Sequence, residues 1–340
     1  MLKCPHVLDT DVTMIKTENW PKLNRKGTDM EPDCVVRWMK DGDSQAVRDL
    51  HQSHYHTRQS AEDLIWRTER HRDLPDFAEF PHPSACVAEA AGKIVAYEGF
   101  NFRYGLVGDT RVPIAESQST LVDPAWQGRH LFTRFLSFAQ GDLAKTGVQI
   151  LTGIPSGRMT KTMRVSGFHE LGSLCLFEFH AELINWLRPI SPADPTETVP
   201  PPAHTVFRND RSDAARKRRF QDRPGVSYDL VSTRHGNAMC RRRGRSRRYV
   251  TICDTQAHEP AAGLFDLLLS LTNALAGFPT RVISCWAVEG SALAQALCDI
   301  GYRRVPDGQF SIAAKSLPGF ETLLVDQLIP DMMIGDFDVG

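Results

Sequence analysis

The residues best suited to chemistry in this sequence lie between positions 116 and 136, in the segment ESQSTLVDPAWQGRHLFTRFL. A strand-like run ends at Val122, Pro124 interrupts it, and a short polar loop at 127–130 leads directly into a helical pattern. A junction of this kind directs free backbone N–H groups and the positive end of a helix dipole towards one point. The glycine of the loop permits close approach to a ligand, and the arginine after it adds a cation. The segment therefore predicts a phosphate-binding site.

The same segment resembles a known family. VDPAWQGRHLFTRFL is similar to the acyl-CoA pyrophosphate loop of the GNAT N-acetyltransferase superfamily, whose pattern is Gln/Arg-x-x-Gly-x-Gly/Ala after a strand. Val122 and Pro124 match the Val-x-Pro of that strand. GIPSGRMTKTMRVSGFHELG resembles the next strand of the family and the helix that ends in Gly-Phe, here at 167–168. With two predicted hairpins before the loop, the resemblance covers residues 35–181.

The resemblance implies an α/β (α+β) fold with a mixed central sheet flanked by helices. It also implies an enzyme that transfers an acetyl group from acetyl-CoA to an amine without using a metal. Two positions depart from the family pattern. The first Gln or Arg would fall at Ala125, and His130 replaces the second glycine, where its side chain would either crowd the pyrophosphate or contact it. The residues implied in binding acetyl-CoA are Leu121, Val122, Gln127, Gly128, Arg129, His130, Leu131, Phe132, Pro155 and Ser156.

Transfer to an amine calls for a general base, because only the neutral amine attacks. Glu116 is the first candidate, since it lies in the cofactor-binding strand upstream of the loop, and Glu98 is the second. The competing interpretation is that Glu116 is a solvent-facing strand residue. A backbone N–H of Leu121 or Val122 is expected to stabilise the oxyanion.

The proton that the departing thiolate takes up has no evident donor. Members of the family often use a tyrosine four residues before the Gly-Phe glycine, and this sequence has Met163 there, near Thr160 and Thr162. Three interpretations follow: another group donates the proton, the thiolate departs without a dedicated acid, or the activity is degenerate.

Three histidines in HQSHYH, at positions 51, 54 and 56, could suggest a metal site, since His51 and His54 share a helical face. No acidic or cysteine ligand is evident beside them, so a polar surface is the favoured interpretation. The early helices of the family border the acceptor pocket, and the resemblance therefore implies that these histidines and Tyr55 could contact substrate.

Strand and helix patterns surround the loop in the order expected for this fold. Helical periodicity predicts helices at 46–55, 61–70, 130–145 and 156–167. Alternating or apolar runs predict strands at 35–40, 85–91, 94–100, 111–122, 148–154 and 174–181.

The clearest domain boundary is residues 189–203, where six prolines in fourteen residues exclude a helix or a central strand. After it, helix, strand and helix at 261–276, 280–288 and 291–300 repeat the order of the first half, which suggests a duplicated unit. The arrangement resembles tandem Eis-like acetyltransferases and Fem-type ligases. The predicted organisation is an irregular arm (1–33), an acyl-CoA-binding domain (34–188), the linker, a GNAT-like domain without the pyrophosphate loop (204–318) and a tail (319–340).

Composition excludes several classes of protein. The 340 residues are 41% hydrophobic and 24% charged, which argues against disordered and fibrous chains. The net charge of -1 argues against a dedicated nucleic-acid binder. However, the segment 208–248 holds 14 Lys and Arg against 4 Asp, so it carries +10 and the remainder -11. We expect either a solvated basic hairpin, the favoured interpretation, or an anion-binding wall.

The sequence also predicts a cytoplasmic location. No stretch reaches the roughly 18 to 20 apolar residues that span a bilayer, and the N-terminus lacks the apolar core of a signal peptide. The 8 cysteines are dispersed without a CxxC pair, which is typical of free thiols in a reducing compartment.

The leading hypothesis is an N-acetyltransferase acting on the amine of a small molecule or of a nucleotide-linked amino sugar. The alternatives are a Fem-type aminoacyl transferase, for which aminoacyl-tRNA would be the donor and the only nucleic-acid partner, and a degenerate GNAT module that binds without catalysis.

Overall fold

The computed structural model describes residues 34–55, 61–69, 74, 77, 80, 83–155, 157–181, 190, 205–243, 248–258, 263–277, 279–323 and 328–330. The predicted arm at 1–33 and nearly all of the predicted linker at 189–203 lie outside these residues. Within the described ranges, no helix is long and apolar enough to cross a membrane.

The first half of the chain has the element order that the hydrophobic pattern predicts. The helix after the polar loop forms because Leu131, Phe135 and Ala139 recur at helical spacing and are buried on one side. The elements of the first half of the chain are β1 (Cys34–Trp38), α1 (Ser44–Tyr55), α2 (Ala61–Glu69), β2 (Ala85–Ala90), β3 (Lys93–Val107), β4 (Thr110–Val122), α3 (Leu131–Lys145), β5 (Ile150–Gly153), α4 (Gly157–Val165) and β6 (His169–His180).

The second half contains the predicted helix, strand and helix as α6, β11 and α7. It also contains the long strand β12, which its charged residues and Pro306 conceal in the sequence pattern. The elements are β7 (Thr205–Asn209), α5 (Asp213–Arg216) with a π-helical continuation (Lys217–Gln221), β8 (Asp229–Thr233), β9 (Gly236–Arg243), β10 (Tyr249–Ala257), α6 (Leu264–Leu275), β11 (Val282–Val288), α7 (Ala292–Ile300), β12 (Arg303–Ser316) and β13 (Leu328–Pro330).

All described strands belong to one mixed sheet, in the order β1-β2-β3-β4-β5-β12-β6-β11-β10-β9-β8. The pairs β4–β5 and β10–β11 are parallel, and each is connected through a helix, α3 or α6. The other neighbours in this order are antiparallel. Outside this order, β7 pairs with the end of β3, and β13 pairs with β7.

The two halves of the chain interleave in this sheet. β12 from the second half lies between β5 and β6, and β6 from the first half lies between β12 and β11. The second half also repeats an element order of the first, since β8-β9-β10-α6-β11-α7-β12 follows the sequence of types in β2-β3-β4-α3-β5-α4-β6. The predicted duplication and its boundaries stay predictions, and the hydrogen-bonded sheet continues across the linker position.

Side chains of β3 and β4 alternate between two faces of the sheet. The α3 face carries Phe100 and Ala115, which pack in the same core as Phe135 of α3. The α1 face carries Tyr97, which packs with Val47 of α1. Any side chain on the β3–β4 hairpin therefore lies either on the α3 face or on the α1 face of the sheet.

Candidate functional site

The ladder between β4 and β5 ends before β4 does, and we call the region beside the remaining part of β4 the cleft. The two parallel strands are paired from Ile114 with Ile150 to Ser117 with Gly153. Beyond this point β5 ends, whereas β4 continues to Val122. The edge of β4 that faces the cleft therefore presents backbone groups that the ladder with β5 does not use.

Met163 of α4 closes the inner end of this cleft. A side-chain carbon at Gly153 would lie 2.6 Å from Met163 Cε and 3.5 Å from the backbone oxygen of Ser117. Glycine at position 153 is thus what allows the buried Met163 to approach the end of β5. Met163 stands where the GNAT resemblance implies a proton-donating tyrosine, and its thioether has no proton to donate.

A β-bulge bends β4 beside the cleft. Tyr97 pairs with Leu121 and Gly99 with Gln118, so one residue of β3 faces two of β4. Ser119, in the bulge, adopts a left-handed backbone with φ of 60°. Bulges of this kind turn a strand out of its ladder and are common beside functional sites.

The register of β4 against β3 turns the N–H of Val122 away from β3. Asp123 N–H donates to Val95 O across the β3–β4 ladder at 2.9 Å. Successive amides of a strand alternate between its two edges, so the N–H of Val122 points away from β3. Of the two amides that the resemblance implies for an oxyanion, Leu121 and Val122, this geometry favours Val122.

The polar loop is held by its own short-range contacts. Asp123 Oδ1 accepts from the N–H of Ala125 at 2.8 Å, which caps the turn at Pro124–Trp126. Gln127 Nε2 donates to Val122 O at 3.4 Å. The guanidinium of Arg129 lies over the Trp126 ring, 4.3 Å from its centroid. The Arg129 side chain therefore packs along the loop.

The N-terminus of α3 is uncapped by a side chain. His130 is the N-cap residue, and its side chain makes no capping hydrogen bond. Gly128 and His130 both have left-handed backbones, with φ of 79° and 58°, and both are exposed. The side chains of Leu131 and Phe132 are buried in the core, so only their backbone faces the loop. Such a turn offers several N–H groups to an anion.

Glu116 is buried on the α1 face, with 3% of its surface exposed. Its Oε2 accepts from Arg103 Nη1 at 2.8 Å and from Asn101 Nδ2 at 3.3 Å. Both of these hydrogen bonds end on the same carboxylate oxygen, Oε2. The interpretation of Glu116 as a solvent-facing residue is wrong, because the sheet buries it.

Glu98 is fully buried on the α3 face, opposite the bulge. Ser117 Oγ donates to its Oε1 at 2.5 Å, and Thr120 Oγ1 donates to its Oε2. Burial raises the pKa of Glu98 to about 8, although the two hydroxyl donors act in the opposite direction. A pKa of about 8 favours the protonated carboxyl at neutral pH, and in that form one carboxyl oxygen donates to its hydroxyl partner instead of accepting from it.

The α1–α2 side is tied to the second half of the chain by a buried ion pair. Asp63 of α2 accepts from Arg67 Nε at 2.9 Å and from Arg223 Nε at 3.2 Å. Arg223 also donates to the hydroxyl of Tyr228 at 3.3 Å. His51 of α1 is half-buried, and burial followed by the charge of Arg67 lowers its pKa. The side chains of His54 and Tyr55, and all of His56 and Ser156, lie outside the described residues, whereas Pro155 is buried just after β5.

The basic segment at 208–248 is partly neutralised within the fold. Arg216 pairs with Asp254 at 2.7 Å, and Arg242 pairs with Asp229 at 2.9 Å. Among the described residues, no group of three or more His, Cys, Asp and Glu side chains is arranged to hold a metal ion.

Comparison with known proteins identifies the fold. No protein-family model matches the sequence, and no curated protein matches it significantly. A conserved protein of unknown function from Enterococcus faecalis, described as a probable N-acyltransferase, superposes with a TM-score of 0.59 at 12% identity, over 86% of this chain and 74% of that one. A GCN5-related N-acetyltransferase from Kribbella flavida gives 0.57 at 13% identity, over 84% and 71%. Eis1 from Mycobacterium abscessus gives 0.53 at 14% identity, over 84% and 73%.

These likenesses show that the chain has the fold of the GCN5-related N-acetyltransferases. The predicted GNAT-like mixed sheet flanked by helices is confirmed.

The sequence pattern missed the environment of Glu98. The sequence did contain an indication of it, because Glu98 lies inside the apolar run IVAYEGF. Burying a glutamate in such a run costs free energy unless its carboxyl is neutral or hydrogen-bonded. The pairing of Glu98 with Ser117 and Thr120 could not be read locally, since the bulge decides which residues of β4 lie opposite it.

Proposed function

We propose that this chain is a cytoplasmic acetyltransferase that moves an acetyl group from acetyl-CoA to the amine of a small molecule, such as a nucleotide-linked amino sugar. The observation that carries the proposal is the junction of β4 and α3. β4 contains a bulge and continues past the end of its pairing with β5, and the N-terminus of α3 that follows has no side-chain cap. The GNAT fold of the solved structures supports the same reaction class. The described cysteines are free, as in proteins of a reducing compartment.

The residues present fit acetyl-CoA. The loop at 127–130 and the first turn of α3 would hold the pyrophosphate through backbone N–H groups. His130 is exposed and is the N-cap residue of α3, so its ring would lie beside this position without taking space from the core. The amide of Val122 would donate to the thioester oxygen in the cleft. When bound, acetyl-CoA supplies an acyl group that is already activated as a thioester.

We assign Glu116 as the general base that accepts the proton of the amine. A ligand held by the N-terminus of α3 leaves the opposite face of the sheet for the acceptor, and Glu116 lies on that face. Arg103 and Asn101 hold Glu116 Oε2 and orient the carboxylate. Oε1 then accepts the proton that the amine loses as its nitrogen bonds to the acyl carbon.

The first test is binding of acetyl-CoA to the full chain. A ligand at about 100 times its Kd stabilises the folded state by about 2.7 kcal/mol, so saturating acetyl-CoA is expected to raise the Tm by several degrees. Acceptors are then sought among sugar nucleotides, aminoglycosides, polyamines and peptides, by following release of free thiol.

Failure of acetyl-CoA to raise the Tm would contradict the proposal. Binding of aminoacyl-tRNA that weakens steeply with salt would favour a Fem-type transferase instead. Acetyl-CoA binding without thiol release for any amine would favour a non-catalytic GNAT module, a reading for which Met163 at the expected tyrosine position is the specific observation.

A further inference from the structure

We propose that Glu98 holds the proton that the sulfur of CoA takes up when the thioester is cleaved, and that it delivers this proton through the hydroxyl of Thr120. This role rests on the proposed acetyltransferase activity and adds to it a proton donor on the α3 face of the sheet. Because Glu98 acts through another side chain, it is a positioning residue for that hydroxyl.

The chemistry of the leaving group creates the need. An alkyl thiol has a pKa of about 8.5, so the product at neutral pH is the thiol, and the sulfur must gain a proton. Met163, which closes the inner end of the cleft, has no proton to give. Glu116 accepts a proton on the opposite face. A separate donor near the cleft on the α3 side would supply this proton as the C–S bond breaks.

Glu98 has the geometry of such a donor. Its two carboxyl oxygens bond to Ser117 and Thr120, which flank the left-handed Ser119 of the bulge. Ser117 is the last residue of β4 that pairs with β5, and Thr120 lies on the part of β4 beyond that pairing. Thr120 is partly exposed whereas Glu98 is fully buried. The Thr120 hydroxyl thus joins the buried carboxyl to the cleft.

The surroundings keep the proton on Glu98 at neutral pH. Burial raises its pKa to about 8. The titratable groups around it are Cys86 of β2, directly opposite in the ladder, Tyr97 on its own strand and Asp142 of α3, which acts on Cys86. Burial also raises the pKa of Cys86 and Tyr97, so both are neutral, and α4 contributes the neutral Met163.

The proton movement balances. The N–C bond forms and the C–S bond breaks, while the amine proton passes to Glu116 Oε1. In the neutral form Glu98 Oε2 bears the proton and donates to Thr120 Oγ1, the reverse of the direction in which the hydroxyl donates to a carboxylate. Thr120 Oγ1 then donates its own proton to the sulfur and receives the proton of Glu98 Oε2. Glu98 is left as a carboxylate, to which Ser117 Oγ still donates. Exchange with solvent returns Glu98 and Glu116 to their starting states.

The first measurement uses no turnover. Infrared spectra of the ligand-free full chain are expected to show a protonated carboxyl band that disappears with a midpoint near pH 8. Glu98→Gln should abolish this band, and Glu116→Gln should retain it. A wild-type chain without a carboxyl band between pH 6 and pH 7 would overturn the proposal.

The second measurement compares leaving groups. Glu98→Gln and Thr120→Val are expected to slow transfer from acetyl-CoA by about 100-fold or more, with acetyl-CoA affinity unchanged. An acidic aryl thiol leaves as a stable thiolate and needs no proton. In the same variants, the rate of transfer from its acetyl thioester should therefore fall far less. Thr120→Ser keeps the hydroxyl and should restore the rate, and Glu170→Gln, an exposed strand carboxyl, serves as the matched control.

The outcomes separate the two proposals. If acetyl-CoA binds but Glu98→Gln lowers the transfer rate equally for both leaving groups, Glu98 is a structural residue and this inference alone is overturned. No acetyl-CoA binding to the wild-type chain would overturn the proposed function and this role with it. If Glu98→Gln does not fold, Thr120→Val, at a partly exposed position, decides between the same outcomes.

Discussion

Glu98 and Glu116 lie on opposite faces of the same β3–β4 hairpin, and both are buried. The carboxyl of Glu98 meets two hydroxyls on the α3 face, whereas Arg103 holds Glu116 on the α1 face. Under the proposed mechanism one carboxyl serves the leaving group and the other serves the acceptor, so substitutions at the two positions should have different effects on the transfer rate.

Gly128→Glu is expected to weaken acetyl-CoA binding at least tenfold. The residue has a left-handed backbone with φ of 79°, and a carboxylate there would repel the pyrophosphate at the N-terminus of α3. Calorimetric titration measures the affinity, and circular dichroism checks that the fold is retained. Gly92→Glu, which has φ of 73° in the β2–β3 turn, is the matched control for backbone strain. Unchanged affinity in Gly128→Glu would remove the loop as the pyrophosphate site.

Glu116→Gln is expected to lower the transfer rate at neutral pH by about 100-fold or more while acetyl-CoA affinity stays the same. The amide keeps the shape of the side chain and its contact with Arg103 but accepts a proton poorly. Steady-state rates with a fixed amine, with Glu89→Gln as a control at a partly exposed strand carboxyl, measure the effect. An unaltered rate would exclude Glu116 as the base.

The buried carboxyl of Glu98 should make stability fall as pH rises. Its pKa is about 8 in the folded chain against an ordinary value of 4.5, so the folded state binds the proton more tightly. The stabilising contribution is complete below pH 4.5 and is lost between that value and about pH 8. Urea unfolding at pH 5, 7 and 9 should show a decline in the wild type that Glu98→Gln reduces. Parallel pH dependence in the two proteins would contradict the raised pKa.

Arg223→Met should destabilise the chain by about 3 kcal/mol, because it leaves the carboxylate of Asp63 buried with one guanidinium partner fewer. Denaturant unfolding measures the change in the free energy of unfolding. Arg242→Met removes a more exposed pair with Asp229 and should cost less than about 1 kcal/mol. Equal losses in the two variants would mean that the contact with α2 is not a buried ion pair in solution.

A fragment of residues 1–188 is expected not to fold alone. In the full chain the open edge of β5 pairs with β12, and β6 pairs with both β12 and β11. Without the second half these strands would expose unpaired backbone groups and apolar side chains. Far-UV circular dichroism and size-exclusion chromatography of the fragment, alone and co-expressed with residues 189–340, test this. A monomeric, cooperatively unfolding fragment would show that the first half is self-sufficient.

Much of the fold was readable from local pattern. Helical spacing of Leu131, Phe135 and Ala139 predicted α3, and the position of Pro124 predicted the end of β4. The loop at 127–130 was predicted as the anion site from its glycine and its place before a helix. These features depend on residues close together in the chain, whose backbone preferences act whatever the rest of the molecule does.

The sequence by itself thus determined the GNAT-like order of elements, the polar loop before α3 and the absence of a tyrosine at Met163. The tertiary structure alone decided that β12 enters the sheet beside β5, that Arg223 reaches Asp63, and that the bulge places Glu98 between two hydroxyls. The reason is physical. Each of these contacts depends on which strands and helices become neighbours. The packing of whole apolar faces of the sheet and helices decides this, whereas the local backbone preferences of the contacting residues do not.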